Sequence, residues 1–194
     1  MKNLFRWLLL LGVTFFSLAY AQKPGSPKDI ERIQKQCIEQ FNRGTQVLVA
    51  RDWKQLVVDA DRYIKICGSV WGDEWLSIAH ERKATAYLWE DDLKRVIEAT
   101  DACLSVHYGN TGCHLYRGQA LIALARYQEA KTAVDRADRL IRSKIENVDR
   151  EMQRHQTSLE REASQSDRTN LISQQGWAES LRKNIDLRLG ASDR

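Results

Sequence analysis

The chain has 194 residues, with 30 Lys and Arg against 26 Asp and Glu, and a formal net charge of +4. That near balance leaves no basic footprint of the kind nucleic acid demands, so no nucleic acid is expected as a partner. Beyond the first 21 residues no apolar run approaches the roughly 20 residues that a membrane-spanning helix needs.

Lys2 and Arg6 precede an apolar run from Trp7 to Ala19, which closes in Ala19-Tyr20-Ala21 before Gln22. A basic start, a short apolar centre and small residues at the minus-three and minus-one positions predict a secretory signal peptide over 1–21. An uncleaved N-terminal anchor is the alternative. No cysteine follows the apolar run and no twin arginine precedes it, which argues against a lipid anchor and against export in the folded state. Loss of Lys2 and Arg6 lowers the formal charge from +4 to +2. A periplasmic or secreted protein is therefore expected, with no membrane span after cleavage.

Both prolines, Pro24 and Pro27, lie just past this segment, so none interrupts a later helix. Ser26 can cap a first helix that has Pro27 at its first position. Ile30, Ile33, Cys37, Phe41 and Leu48 then fall at helical spacing. Asp52 opens a second helix with a buried stripe of Trp53, Leu56, Val57, Ala60, Tyr63 and Ile64. Cys67 to Glu74 reads as a glycine-containing connector. Helices of about 75–89 and 91–106 follow, and the turn His107 to Gly112 separates them from a helix over 113–125. Strict two-residue alternation is absent, so strands have little support.

From Tyr127 onward the pattern changes. Ile141, Ile145, Val148, Met152, His155 and Leu159 are spaced as a heptad stripe. Ser164 to Asn170 reads as a polar break, and a last helix carries Leu171, Gln174, Ala178, Leu181 and Ile185 on one face with Trp177 beside it. An antiparallel hairpin that buries Ile141, Val148 and Met152 under Trp177, Leu181 and Ile185 is expected. An extended coiled-coil arm that makes a homodimer is the competing arrangement.

A spacing organises the middle of the chain. Gly118-x2-Leu121, Ala130-x3-Val134 and Ala137 recur 34 residues earlier as Ala84-x2-Tyr87, Val96-x3-Thr100 and Cys103. A looser copy reads Gly44-x2-Val47, Leu56-x3-Ala60 and Tyr63, with Trp53, Leu93 and Tyr127 at equivalent places nine residues after each small residue. The small residues let paired helices approach closely, and a period near 34 is that of stacked helix-turn-helix units. Gly44 and Ala84 are 40 residues apart, so six extra residues must be accommodated, most simply in the 67–74 connector.

On these residues the chain resembles the tetratricopeptide repeat family over about 37–142. The third copy is nearest the family pattern. In the second, Val96 and Cys103 replace the usual alanines; in the first, Leu56 and Tyr63 are larger than expected. His114 stands where the family has an early tryptophan, and the closing proline is absent. The resemblance implies an all-α fold: a solenoid of about three helix-turn-helix repeats over 22–142, followed by the helical hairpin of 143–194. It also implies a concave face, lined by the first helix of each pair, that binds extended peptides or helices. Phe41, Thr45, Leu48, Glu81, Thr85, Leu88, Trp89, Leu115, Gln119 and Ile122 are the candidate residues of that face. Trp89 is the expected anchor, because tryptophan is enriched among residues that dominate binding energy. Alternatively, the C-terminal hairpin covers part of this set, or Trp89 packs into the turn before Leu93.

Four cysteines in an exported chain point to disulfides. In antiparallel pairs the start of one helix lies beside the end of the next. This places Cys37 by Cys67, and Cys103 by Cys113 across a single turn. Cys103, His107, Cys113 and His114 are also suitable zinc ligands by type, but their spacing matches no recognised finger and a disulfide satisfies both thiols more simply. Glu90-Asp91-Asp92 lies at a helix start, where carboxylates cap rather than bind cations. His80 and His155 read as surface or core-edge residues. No nucleophile, phosphate-binding or metalloprotease motif is present. The expected function is non-enzymatic, without a cofactor or metal: an adaptor that binds a peptide or helix of an envelope or secreted protein. An inhibitor or immunity protein for a secreted toxin is the alternative within that class, and a small metal-binding protein or hydrolase is the alternative outside it.

Overall fold

The computed structural model describes residues 26–154 and 157–192, which form seven α-helices and no strand. The predicted signal segment and His155 lie outside the described residues. In chain order the helices are α1 (Pro27–Ala50), α2 (Trp53–Cys67), α3 (Asp73–Trp89), α4 (Leu93–Val106), α5 (Thr111–Ala123), α6 (Tyr127–Arg154) and α7 (Ser158–Ser192). Each packs on the next, and α3 on α5 and α5 on α7 make the contacts between alternate helices.

One turn, used three times, makes this possible. α1–α2, α3–α4 and α5–α6 are each joined by only two or three residues. In each joint a non-glycine residue takes left-handed backbone: Arg51 (φ 58°), Asp91 (φ 57°) and Ala125 (φ 57°). Its N–H bonds three residues back, to Leu48, Leu88 and Ile122, while the following N–H bonds five back, to Val47, Tyr87 and Leu121. This paired pattern satisfies helix-end carbonyls that otherwise have no partner. Asp52 and Asp92 then cap the next helix, accepting from the Gln55 and Arg95 N–H groups. Of the acidic run, Asp92 is the cap and Asp91 the left-handed turn residue.

The extra residues of the first interval sit elsewhere than the spacing predicts. α3 has 17 residues where α5 has 13, so an added turn of helix takes up most of them and the connector changes little. That turn brings Trp75 into the structure. The small residue of the third copy is required by contact: a Cβ at Gly118 would lie 2.6 Å from Val134 Cγ2, so α5 and α6 meet there at backbone distance.

The core is a chain of clusters rather than a single ball. Cys37, Ala60, Tyr63, Cys67 and Ala79 join α1, α2 and α3. Ala84, Tyr87, Val96, Ala99 and Ala120 join α3, α4 and α5. The largest side chains, among them Leu115, Leu121, Val134, Ile141, Leu181 and Ile185, unite α5, α6 and α7. Buried Asp59 accepts from Arg43 at 3.1 Å and Gln55 at 2.8 Å, pinning α2 to α1. Both disulfides form as the hairpin geometry predicts, with Cα–Cα distances of 5.8 Å for Cys37–Cys67 and 6.4 Å for Cys103–Cys113. Closing the longer loop stabilises the fold by roughly 3–4 kcal/mol in the chain-entropy account.

The C-terminal helices fold back within the chain. Ile141, Leu181 and Ile185 are buried, Val148, Met152 and Trp177 half-buried. Arg182 bonds Asp135 and Asp138, and Arg168 bonds Asp149 at 2.6 Å, tying α7 to α6 along its length. The reversal is placed differently from the expectation. Ser164 to Asn170 is helical, and the new helix starts at Ser158. Thr157 and Glu160 explain it: the Glu160 N–H donates to Thr157 Oγ1 and the Thr157 N–H donates to Glu160, a reciprocal capping box. Leu159, counted into the heptad stripe, is 75% exposed on α7.

Two stability measurements follow from this architecture. Ala125→Gly relieves left-handed strain at an exposed position, offset by the greater freedom of glycine in the unfolded chain, and is expected to stabilise by on the order of 0.5–1 kcal/mol. The urea midpoint rises with an unchanged slope; a fall would mean the turn is unstrained. Ile185→Ala removes a fully buried side chain of α7 and is expected to cost about 2–5 kcal/mol by the same measurement.

Candidate functional site

α3 carries apolar residues on more than one side. Ala79, Ala84, Ala86 and Tyr87 are buried. A second stripe, Trp75, Ile78, Arg82, Thr85 and Trp89, runs along the helix at three- and four-residue steps. This stripe has Trp75 at 39% and Trp89 at 63% exposure at its ends.

At the first end, Trp75 meets Phe41 edge-to-face at 5.1 Å and Trp71 at 4.7 Å. Tyr63 closes the group at 6.2 Å from Phe41 and 6.1 Å from Trp71. Arg82 fastens it to α3: its guanidinium lies 4.2 Å over the Phe41 ring and donates to the Phe41 carbonyl at 3.1 Å and to Thr45 Oγ1 at 2.7 Å. Burial pushes the Tyr63 hydroxyl up to about 12, with Arg82 acting in the opposite direction. At the other end, Trp89 stacks on Trp53 with parallel planes and 5.4 Å between centroids. Trp89 therefore has one ring face against Trp53 rather than against Leu93, and stays largely exposed.

On a neighbouring face of α3, Glu74 to Glu81, the start of α5, the distal half of α6 and α7 line a cleft of about 480 Å³. Glu81 stands at its base. Asn110 Nδ2 donates to Glu81 Oε2 at 3.0 Å and to Ser77 Oγ at 3.1 Å, while Asn110 Oδ1 accepts from the Cys113 N–H at 2.9 Å and caps α5. The Cys103–Cys113 disulfide holds this turn in place. A Cβ at Gly112 would run into the Glu81 carboxylate, so glycine is what lets the carboxylate rest against the first turn of α5. Glu81 has no ion pair within 4 Å among the described residues. Burial raises its pKa above the ordinary 4.5; the Asn110 hydrogen bond and the charges of Lys144 and Arg82 act the other way. Glu74, Glu151 and Asp167 also line the cleft, against Lys144, so carboxylates outnumber ammonium groups there.

The candidate residues divide according to what covers them. Phe41 and Thr45 meet Arg82 on the α1–α3 side and Trp89 stacks on Trp53, whereas Glu81 and Thr85 face α5; Thr85 Oγ1 donates to the Glu81 carbonyl at 3.0 Å. Leu48 is half-buried, and Leu88 packs on the α3–α4 core. On α5 the expectation fails. Leu115 is fully buried under α6 and α7, Ile122 packs on the same core, and Gln119 is half-buried. The reason is α7: Trp177 packs on Tyr116 at 5.0 Å and Gln174 accepts from Thr111 Oγ1 at 2.6 Å, so the hairpin covers this part of the face. The sequence reading did not include Trp75, Arg82 or Asn110. Trp75 was findable as part of the six extra residues; Asn110 was findable as a helix cap but not as a partner of Glu81.

The metal alternative meets a simple obstacle, because the disulfide consumes both thiols of the Cys103, His107, Cys113 and His114 set. Among the described residues no helix is long and apolar enough to cross a membrane. Comparison of the chain with models of known protein families and with curated proteins finds no match.

A carboxylate whose folded-state pKa is raised favours folding most below pH 4.5, and that contribution is lost as the pH rises through the folded value. Glu81→Gln keeps an oxygen for Asn110 and removes the buried charge. It is expected to be more stable than the wild type at neutral pH and equally stable below pH 4.5, as read from urea midpoints across that range. Equal midpoints at neutral pH would show that Glu81 bears no such cost.

Proposed function

We propose that this protein is an exported, non-enzymatic binding module of tetratricopeptide-like solenoid form, acting in the periplasm or outside the cell. Its inner face captures a peptide segment or helix of an envelope or secreted protein. The shared hydrogen-bond pattern of the three helix-joining turns and the run of clusters each joining consecutive helices support the solenoid reading. The two disulfides are compatible with an oxidising compartment.

The observation that carries the reading is Glu81. Glu81 is half-buried at the base of the cleft, its side chain is held by the neutral amide of Asn110, and it makes no ion pair among the described residues, which leaves its carboxylate available to a cationic ligand. A Lys or Arg side chain of the captured segment supplies the missing charge. Ile78, Val148 and Leu171 line the same cleft, so apolar residues beside that cation have places to pack.

Affinity capture from an envelope extract, followed by titration of the captured protein against variants, tests this. Glu81→Gln is expected to weaken binding at least tenfold while melting like a folded protein. Trp89→Ala is expected to weaken binding with the fold intact, because its exposed face is free. Wild-type affinity in both variants would place the binding surface elsewhere.

A further inference from the structure

On the opposite side of α5, α4 and α6 border a second groove, of about 610 Å³, that the Glu81 cleft does not share. Part of its lining belongs to the scaffold. Arg117 pairs with Asp101, and 34 and 40 residues earlier Lys83 pairs with Asp61 at 2.7 Å. The repeat thus builds the same cross-helix ion pair twice. His114 and His80 are likewise equivalent positions, both held below the ordinary histidine range by burial first. His114 Nε2 bonds the Tyr108 carbonyl at 3.0 Å, and its ring meets the Tyr108 ring edge-on at 5.2 Å, fixing the loop at the groove's rim.

The rest is particular to this groove. Arg136 and Arg139 take the places where the preceding repeat has Ala102 and Ser105. The Arg136 guanidinium lies 4.8 Å over the Tyr108 ring, and its Nε is buried without a hydrogen-bond partner. Neither arginine makes an ion pair among the described residues. The two carboxylates nearby are already engaged, Asp101 by Arg117 and Glu129 by Arg126 through two bonds of 2.7 Å. Between the charges the groove is apolar, with Leu104 and Ala133 in its lining.

We propose that the α4–α6 groove binds an acidic peptide segment, whose carboxylates pair with Arg136 and Arg139 and whose adjoining apolar side chain packs on Tyr108 and Leu104. Guanidinium forks suit carboxylates, and an unsatisfied buried Nε gains most from one. The donors lie one helical turn apart along an apolar floor rather than converging on a point, which fits successive side chains of a strand better than a lone phosphate. The surface is distinct from the Glu81 cleft, so the protein has two binding faces of opposite charge preference.

The test is selection of random peptides displayed on phage against the intact protein, then calorimetry with the synthetic winner. Peptides that compete at this face are expected to be enriched in Asp and Glu beside an apolar residue. Their affinity is expected to fall at least tenfold in Arg136→Gln and in Arg139→Gln, to be partly retained in Arg139→Lys, and to be unchanged in Glu81→Gln. Arg139 is exposed, so its variant reports even if Arg136→Gln unfolds. Selection without acidic enrichment, or equal affinity for the Arg139→Gln variant, overturns the proposal. Displacement of the peptide by inorganic phosphate at constant ionic strength also overturns it, in favour of a small-anion site.

Discussion

How tightly two antiparallel helices can be joined sets every other distance in this protein. A two- or three-residue joint works only if the chain reverses through one left-handed residue while the last carbonyls of the first helix find donors. Arg51, Asp91 and Ala125 perform that reversal, although glycine would do it without strain. The energetic return is distributed. Each joint saves loop entropy and satisfies two carbonyls, and it holds the helix ends close enough that Gly118 can bring α5 onto Val134. Equivalent residues such as Lys83 and Arg117 meet equivalent partners, Asp61 and Asp101, on the preceding helix.

The sequence was most legible where physics is local. Ser26, Asp52 and Asp92 cap helices that start where their side chains say they should. The disulfide pairing followed from antiparallel packing alone, since hairpin geometry leaves each cysteine one near neighbour. Legibility failed where a choice depended on the third dimension. The heptad stripe ran on through Leu159 because periodicity has no sense of where a chain turns back. The stop was nonetheless written locally, as Thr157 followed three residues later by Glu160. Leu115 looked like a groove residue by its repeat position, and only the return of α7 over α5 buries it. No one-dimensional pattern announces that a helix from the far end of the chain covers a face.

The same return of α7 shapes both the core and the Glu81 cleft. α6 runs on past Ile141, and α7 lies back across α5 and α6 through Ala178, Leu181 and Ile185. The hairpin covers Leu115 and meets Thr111 on α5, and its distal part becomes one wall of the Glu81 cleft. The helix that completes the core therefore also gives the cleft its depth, and with it the burial that raises Glu81.

That burial decides between two meanings of a charged groove. A carboxylate on an open face is solvated and carries little information about a ligand, because water satisfies it at no cost. Glu81 is different in three respects that reinforce each other: it is half-buried in a cleft, its side-chain donor is a neutral amide from Asn110, and its carboxylate rests where a Cβ at residue 112 would be. The opposite wall of α5 repeats the logic with reversed sign, where Arg136 keeps a buried Nε without an acceptor. Structural ion pairs elsewhere in the chain are closed, Asp59 by Arg43 and Asp135 by Lys131 and Arg182. On the two sides of α5, by contrast, Glu81 and the arginines Arg136 and Arg139 make no ion pair among the described residues. α5, the helix between them, has most of its residues buried by its neighbours, so the two flanks are held apart by the core itself.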